Sequence, residues 1–248
     1  MTPGFDLTPR PPQKSSRVVL LASAAVVVVV VIAALVVWAV NPGTIEGKAV
    51  MPAVSAAFVD GDDLEPLLVS PEEVSKIVGV PNMVTISSWM KPDTNDEAAT
   101  PEECVGALYT GMDSVYADNG YASIFQTRTG PNKSNSAATP AVDQTVAAFD
   151  TAQEAQKALT DYLRLIEGCA GKDLTFTKIQ VTWHLGSPEQ TDDGITVASS
   201  RLREGTLFLD RSVTAKGNVL VEVQIQDNKS HKDDVLAISR DILQNIGS

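Results

Sequence analysis

Two cysteines and two histidines are the residues of this chain with the widest chemical repertoire. Cys104 and Cys169 have no further Cys or His at metal-ligand spacing, so they do not read as a metal pair. His184 follows Trp183 at the end of a predicted strand, and His231 opens a predicted helix. Neither belongs to H-E-x-x-H or a related motif, so each reads as a surface or half-buried structural histidine. No G-x-S-x-G, P-loop or S-x-x-K stands in a supporting context. Asp60-Gly61-Asp62-Asp63 with Glu65 could attract Ca²⁺, but it lacks the spacing and terminal Glu of an EF-hand loop and reads as a solvated charge cluster. Asp192-Asp193-Gly194 reads as a turn. Trp89 and Trp183 lie near predicted strand ends, which favours core packing over a binding platform. The residues therefore point to no catalytic set, no metal, no cofactor and no defined ligand site.

Any such site must be carried by a chain that is divided early. Residues 18–40, VVLLASAAVVVVVVIAALVVWAV, are apolar and free of charge. At about 1.5 Å per residue they make a helix of roughly 35 Å, enough to cross a hydrocarbon core of about 30 Å. Arg10, Lys14 and Arg17 precede the run, opposed by Asp6 alone, so the positive-inside rule places the N-terminus in the cytoplasm. Trp38 falls near the outer interface. A cleaved signal peptide is the competing reading, but the run is long for one and Val36-Val37-Trp38 is bulky where cleavage would fall.

The division gives a cytoplasmic tail over 1–17, a transmembrane helix over 18–40, a Pro- and Asp-bearing linker over 41–68, and an outer domain over 69–248. Both cysteines fall on the outer side. In an oxidising compartment the pair reads as a disulfide, against the alternative of two buried thiols. The formal net charge is −12, and the tail is net positive, so the outer part is more acidic still. That acidity disfavours nucleic acid and anionic lipid surfaces as partners.

Within the domain, Ser70-Pro71-Glu72-Glu73 predicts a capped helix stopped by Gly79. Thr100-Pro101-Glu102-Glu103 repeats that chemistry just before Cys104. Asp150 is expected to cap a helix running to about Glu167, and Ser230 a last one. Strands are expected over 83–90, 121–128, 142–149, 174–183, 195–202, 206–215 and 219–226. Lys216-Gly217-Asn218 makes a hairpin turn. Val219, Val221, Val223 and Ile225 alternate with Glu222, Gln224 and Gln226, which suits a sheet wet on one face. The expected fold class is α+β: a twisted antiparallel sheet with helices packed on one face, preceded by a single transmembrane helix.

The order PEECVGALY, a helix ending in LIEGCAG, a Trp-bearing strand and VTAKGNVLVEVQI resembles the extracellular sensor domain of the mycobacterial PknH-type serine/threonine kinases, over about residues 66–247. The resemblance implies a cell-envelope protein with a cleft for a ligand not yet defined. The 1–17 tail is too short for a kinase. A second disulfide common in that family has no cysteines here, which leaves the helix-linking Cys104–Cys169 pair. The expected function is a non-catalytic, membrane-anchored, extracytoplasmic domain that binds a ligand or protein partner in the envelope. The alternative is an envelope scaffold for glycan or proteins that signals nothing. A hydrolase with an unfamiliar site is the remaining possibility and would need clustered, perturbed carboxylates in a deep pocket.

Overall fold

A computed structural model describes residues 58–94, 98–131 and 139–247. The expected tail (1–17), transmembrane helix (18–40) and most of the expected linker lie outside the described residues. Among the described residues, no helix is long and apolar enough to cross a membrane. The elements are α1 (Pro71–Val78), β1 (Val84–Trp89), β2 (Ala99–Thr100), α2 (Val105–Leu108), α3 (Asp113–Tyr116), β3 (Tyr121–Gly130), β4 (Ala141–Phe149) and α4 (Ala152–Cys169). They continue with β5 (Asp173–Phe176), β6 (Val181–His184), β7 (Glu189–Gln190), β8 (Thr196–Leu202), β9 (Phe208–Lys216), β10 (Val219–Asp227) and α5 (Lys232–Asn245).

Among the described residues the strands form one antiparallel sheet in the order β1-β3-β4-β10-β9-β8-β6-β5-β2, with β7 paired to β8. The C-terminal hairpin β9–β10 thus sits in the middle. Gly217 turns it at φ 58°, a conformation open to glycine at little steric cost.

The helices lie on both faces of the sheet rather than on one as expected. Side chains alternate across a strand. Val219, Val221, Val223 and Ile225 enter a core with α1 and α5, while Leu220 enters a separate core with α2, α3 and α4. The polar partners of that alternation are therefore not wet: Glu222 and Gln224 are buried beneath the second helical layer. A period of two reports only that the two faces differ. A face with spaced polar residues can still be covered when those residues find partners.

Other local expectations also give way to tertiary context. Residues 59–68 do not belong to a linker, because Val59, Leu64 and Leu67 are buried. Two side-chain amides clamp this segment to the sheet. Asn218 accepts from the Val59 amide and donates to the Val59 carbonyl, each at 2.9 Å. Gln144 does the same for Val69 at 2.9 and 3.0 Å.

Ser70 caps α1 as expected, but Thr100 lies in β2, paired with Thr175, and caps nothing. Thr151 rather than Asp150 caps α4. His231 rather than Ser230 is the N-cap of α5, without a side-chain cap bond. The strand expected over 174–183 is a hairpin, β5 and β6, reversing where Gln180 takes φ 56°.

Candidate functional site

The second helical layer stops short of the β1 end of the sheet and leaves a cleft of about 370 Å³. That volume falls within the range of roughly 300–1,000 Å³ typical of small-ligand sites. Its floor consists of side chains that share one face of three adjacent strands: Gln126 and Arg128 of β3, Asp143 and Thr145 of β4, and Gln224 and Gln226 of β10. One wall is the segment Trp89, Lys91, Pro92 and Asp93 that leaves β1. The other is the turn between α2 and α3, with Tyr109, Thr110 and Met112.

The floor holds the walls in place. Gln224 accepts from the Thr110 amide at 3.2 Å, and Gln126 donates to the Lys91 carbonyl at 2.7 Å. Asp93 donates through its backbone to the Gly111 carbonyl at 2.8 Å, joining the two walls. Gly111 is required at that junction. Its φ is +66°, and an added Cβ would collide with the Gln126 carboxamide.

Arg128 donates to Asp143 at 3.3 Å, with the side chains 25 % and 14 % exposed. Asp143 also accepts from Gln224 at 3.2 Å. The Arg128 Nε atom is buried and unpaired. An unmet buried donor of this kind carries a penalty of about 1–3 kcal/mol. The Gln226 carboxamide is half-buried on the same floor.

Burial pushes the Asp143 carboxyl up to about 6, against the opposing pull of Arg128. A carboxyl whose folded value lies above its unfolded one opposes folding in its charged form. That cost is absent well below about pH 4, grows as the pH rises toward 6 and is complete above it. Asp143→Asn is therefore expected to gain stability relative to the parent as the pH is raised from about 4 to about 7, by about 2 kcal/mol. Paired thermal melts across that range check it. A difference that stays flat, or that grows toward acid, refutes it.

Behind the α2–α3 wall lies a fully buried ion pair, Arg211 of β9 and Glu222 of β10, at 2.9 Å with side chains 1 % and 0 % exposed. Glu222 also accepts from the hydroxyls of Tyr116 and Tyr162 and from the Gly111 amide. Arg211 lies over the Tyr162 ring at 4.9 Å and donates to the Gly106 carbonyl at 2.9 Å. Burial raises the Glu222 carboxyl above its ordinary range and lowers the Arg211 guanidinium, and each charge holds the other against that drift. Burial, reinforced by the Glu222 charge, lifts Tyr116 well above its usual value. The network has no open side for a substrate. Its place in the molecule is to fix Gly106 and Gly111, and with them the cleft wall.

The residues singled out in the sequence lie elsewhere. Cys104 and Cys169 form a disulfide with Cα atoms 5.6 Å apart, tying the start of α2 to the end of α4. His184 is partly exposed and contacts Asp173 at 2.9 Å, beside Arg203. His231 is buried, contrary to its expected surface or half-buried setting, with its ring nitrogens against Asp227 at 2.8 Å and Asp234 at 2.5 Å. Its backbone amide bonds Asp210, which also accepts from the Ser199 hydroxyl. Ser199 therefore meets a carboxylate rather than the imidazole, and no nucleophile–base pair forms there. Asp60 caps a short 3₁₀ turn, Gly61–Asp63. No group of acidic, His or Cys side chains among the described residues could hold a metal ion. Trp183 is buried, but Trp89 is 46 % exposed at the cleft rim.

Sequence reading missed the cleft residues because they occupy ordinary strand positions. The available signal is the same-parity polar series on three strands, of which the sequence reading uses only the last, Glu222, Gln224 and Gln226, and takes it for a wet face.

The comparisons agree with this architecture. A family model described as the PknH-like extracellular domain matches residues 59–245. The serine/threonine-protein kinase PknH of Mycobacterium tuberculosis is 30 % identical over 196 residues, covering 77 % of this chain and 29 % of that protein. The serine/threonine-protein kinase PknJ of Mycobacterium bovis is 30 % identical over 188 residues, covering 73 % and 32 %. The chain thus spans about a third of the length of the curated relatives it matches. The crystal structure of the extracellular domain of PknH from Mycobacterium tuberculosis superposes with a TM-score of 0.70 at 23 % identity, covering 77 % of this chain and 98 % of that one. With a family match that spans most of its length, this chain belongs to the PknH-like extracellular domain family.

Proposed function

We propose that the chain is a non-catalytic, sensor-type binding domain on the outer side of the cell membrane, anchored through residues 18–40 with its N-terminus in the cytoplasm. The apolar run and its flanking charges support the anchor. The family supports an extracytoplasmic setting. The observation that carries the binding role is the cleft: a concave site whose walls are tied by backbone bonds and whose floor brings Arg128, Asp143 and Gln226 together. Preformed concavity with a few convergent polar groups is the usual form of a small-ligand site.

The described residues between 58 and 247 carry two extensive cores, and the PknH relative was solved as its extracellular domain. A fragment of residues 58–248 is therefore a suitable subject. Screened by amide NMR against a chemically diverse small-molecule library, it is expected to show binders that shift residues 109–112, 126–128 and 224–226. Binders that map only to other surfaces, or no binders at all, overturn the reading.

A further inference from the structure

From the chemistry of the cleft, and resting on its reading as a ligand site, we propose that its ligand is a neutral, polyhydroxylated molecule of the saccharide class. Among the described lining residues the formal charges pair off: Lys91 and Arg128 stand with Asp93 and Asp143, and the inner two already neutralise each other. Within that described lining neither sign of charge is in excess to single out an anion or a cation. The unfilled hydrogen-bonding capacity is of mixed sign. Asp143, bonded through one oxygen, has lone pairs to offer on the other, and Gln226 carries both a donor and an acceptor.

A guanidinium beside a carboxylate suits a pair of adjacent hydroxyls, one accepting and the other donating. A sugar ring also has an apolar C–H face. The cleft offers that face an aromatic surface in Trp89, half-exposed at the rim, with Tyr109 on the opposite wall. An amphipathic ring over a wet polar floor is the setting in which indole and phenol side chains contribute most.

The test titrates the 58–248 fragment with a neutral disaccharide, the matching disaccharide with a uronic acid, and the matching one with an amino sugar. Binding is read by Trp fluorescence and amide NMR. The neutral sugar is expected to perturb Trp89 and the 126–128 and 224–226 amides, with an affinity unchanged between about 0.1 M and about 1 M salt. Trp89→Ala is expected to weaken it about tenfold, and Gln226→Ala to weaken it measurably. Both changes lie outside the cores, and melting temperatures confirm that each variant folds. Binding of the charged sugars alone, or a strong salt dependence, overturns the saccharide proposal and leaves the cleft standing. No sugar binding also overturns it, and the fragment screen then decides separately whether the cleft is a site at all.

Discussion

Glu222→Ala is expected to destabilise the domain by about 3–5 kcal/mol, as found when one partner of a buried ion pair is removed. The loss exceeds that of a surface bridge because Glu222 is the acceptor for four donors: Arg211, the hydroxyls of Tyr116 and Tyr162, and the Gly111 amide. Truncation leaves a guanidinium 1 % exposed with no counter-charge. A companion double variant, Arg211→Met with Glu222→Leu, removes both charges and is expected to recover a large part of the loss. Urea unfolding of parent, single and double variants provides the measurement. A single variant within about 1 kcal/mol of the parent, the range of an exposed pair, would contradict this account.

Reduction of the Cys104–Cys169 disulfide is expected to cost about 4 kcal/mol, the chain-entropy estimate for its loop length. The sequence separation is 65 residues, so most of the unfolded chain's middle third is freed when the bond opens. The native contacts around it should persist, since both cysteines are buried in the core that α2, α3 and α4 form with the sheet. Cys104→Ala with Cys169→Ala, compared with the parent with and without reductant, separates cross-link from packing. If reductant lowers the unfolding midpoint of the parent while leaving the double variant unmoved, the loop constraint is responsible. If the oxidised parent and the variant unfold at the same denaturant concentration, the prediction fails.

Local chemistry in this chain is legible wherever one segment decides the outcome. Ser70 with Pro71 starts a helix and Gly79 ends it, and Gly217 turns the last hairpin. The cysteine pairing also follows from compartment and count. What is not legible is which face of the sheet is covered. Glu222 and Gln224 look solvated in the sequence because their partners, Tyr116, Thr110 and Gly111, lie more than a hundred residues earlier. His231 is misread for a related reason. Its burial depends on Asp227 and Asp234, short-range neighbours whose convergence needs the strand-to-helix turn. The cleft residues carry no motif because the floor consists of every second residue on strands that become neighbours only in the sheet. Trp89 reads as a core residue in the sequence because a strand end does not reveal whether the next layer reaches it.

The position of β9 and β10 at the centre of the sheet sets the order in which the domain can mature. A ribosome delivers β1, β3 and β4 first and β5, β6 and β8 later, and within the sheet these two groups are joined through the hairpin that arrives near the end. Until residues 208–227 are free, β4 and β8 each expose an unpaired edge, and neither core has its central wall. Such a chain has little to gain from folding piecemeal as it emerges. It is expected to stay open and in need of protection from aggregation until nearly the whole domain is available, and then to close in one late event. The same logic makes the C-terminal segment the most sensitive part of the molecule to truncation, even though it lies farthest in sequence from the cleft wall at Trp89.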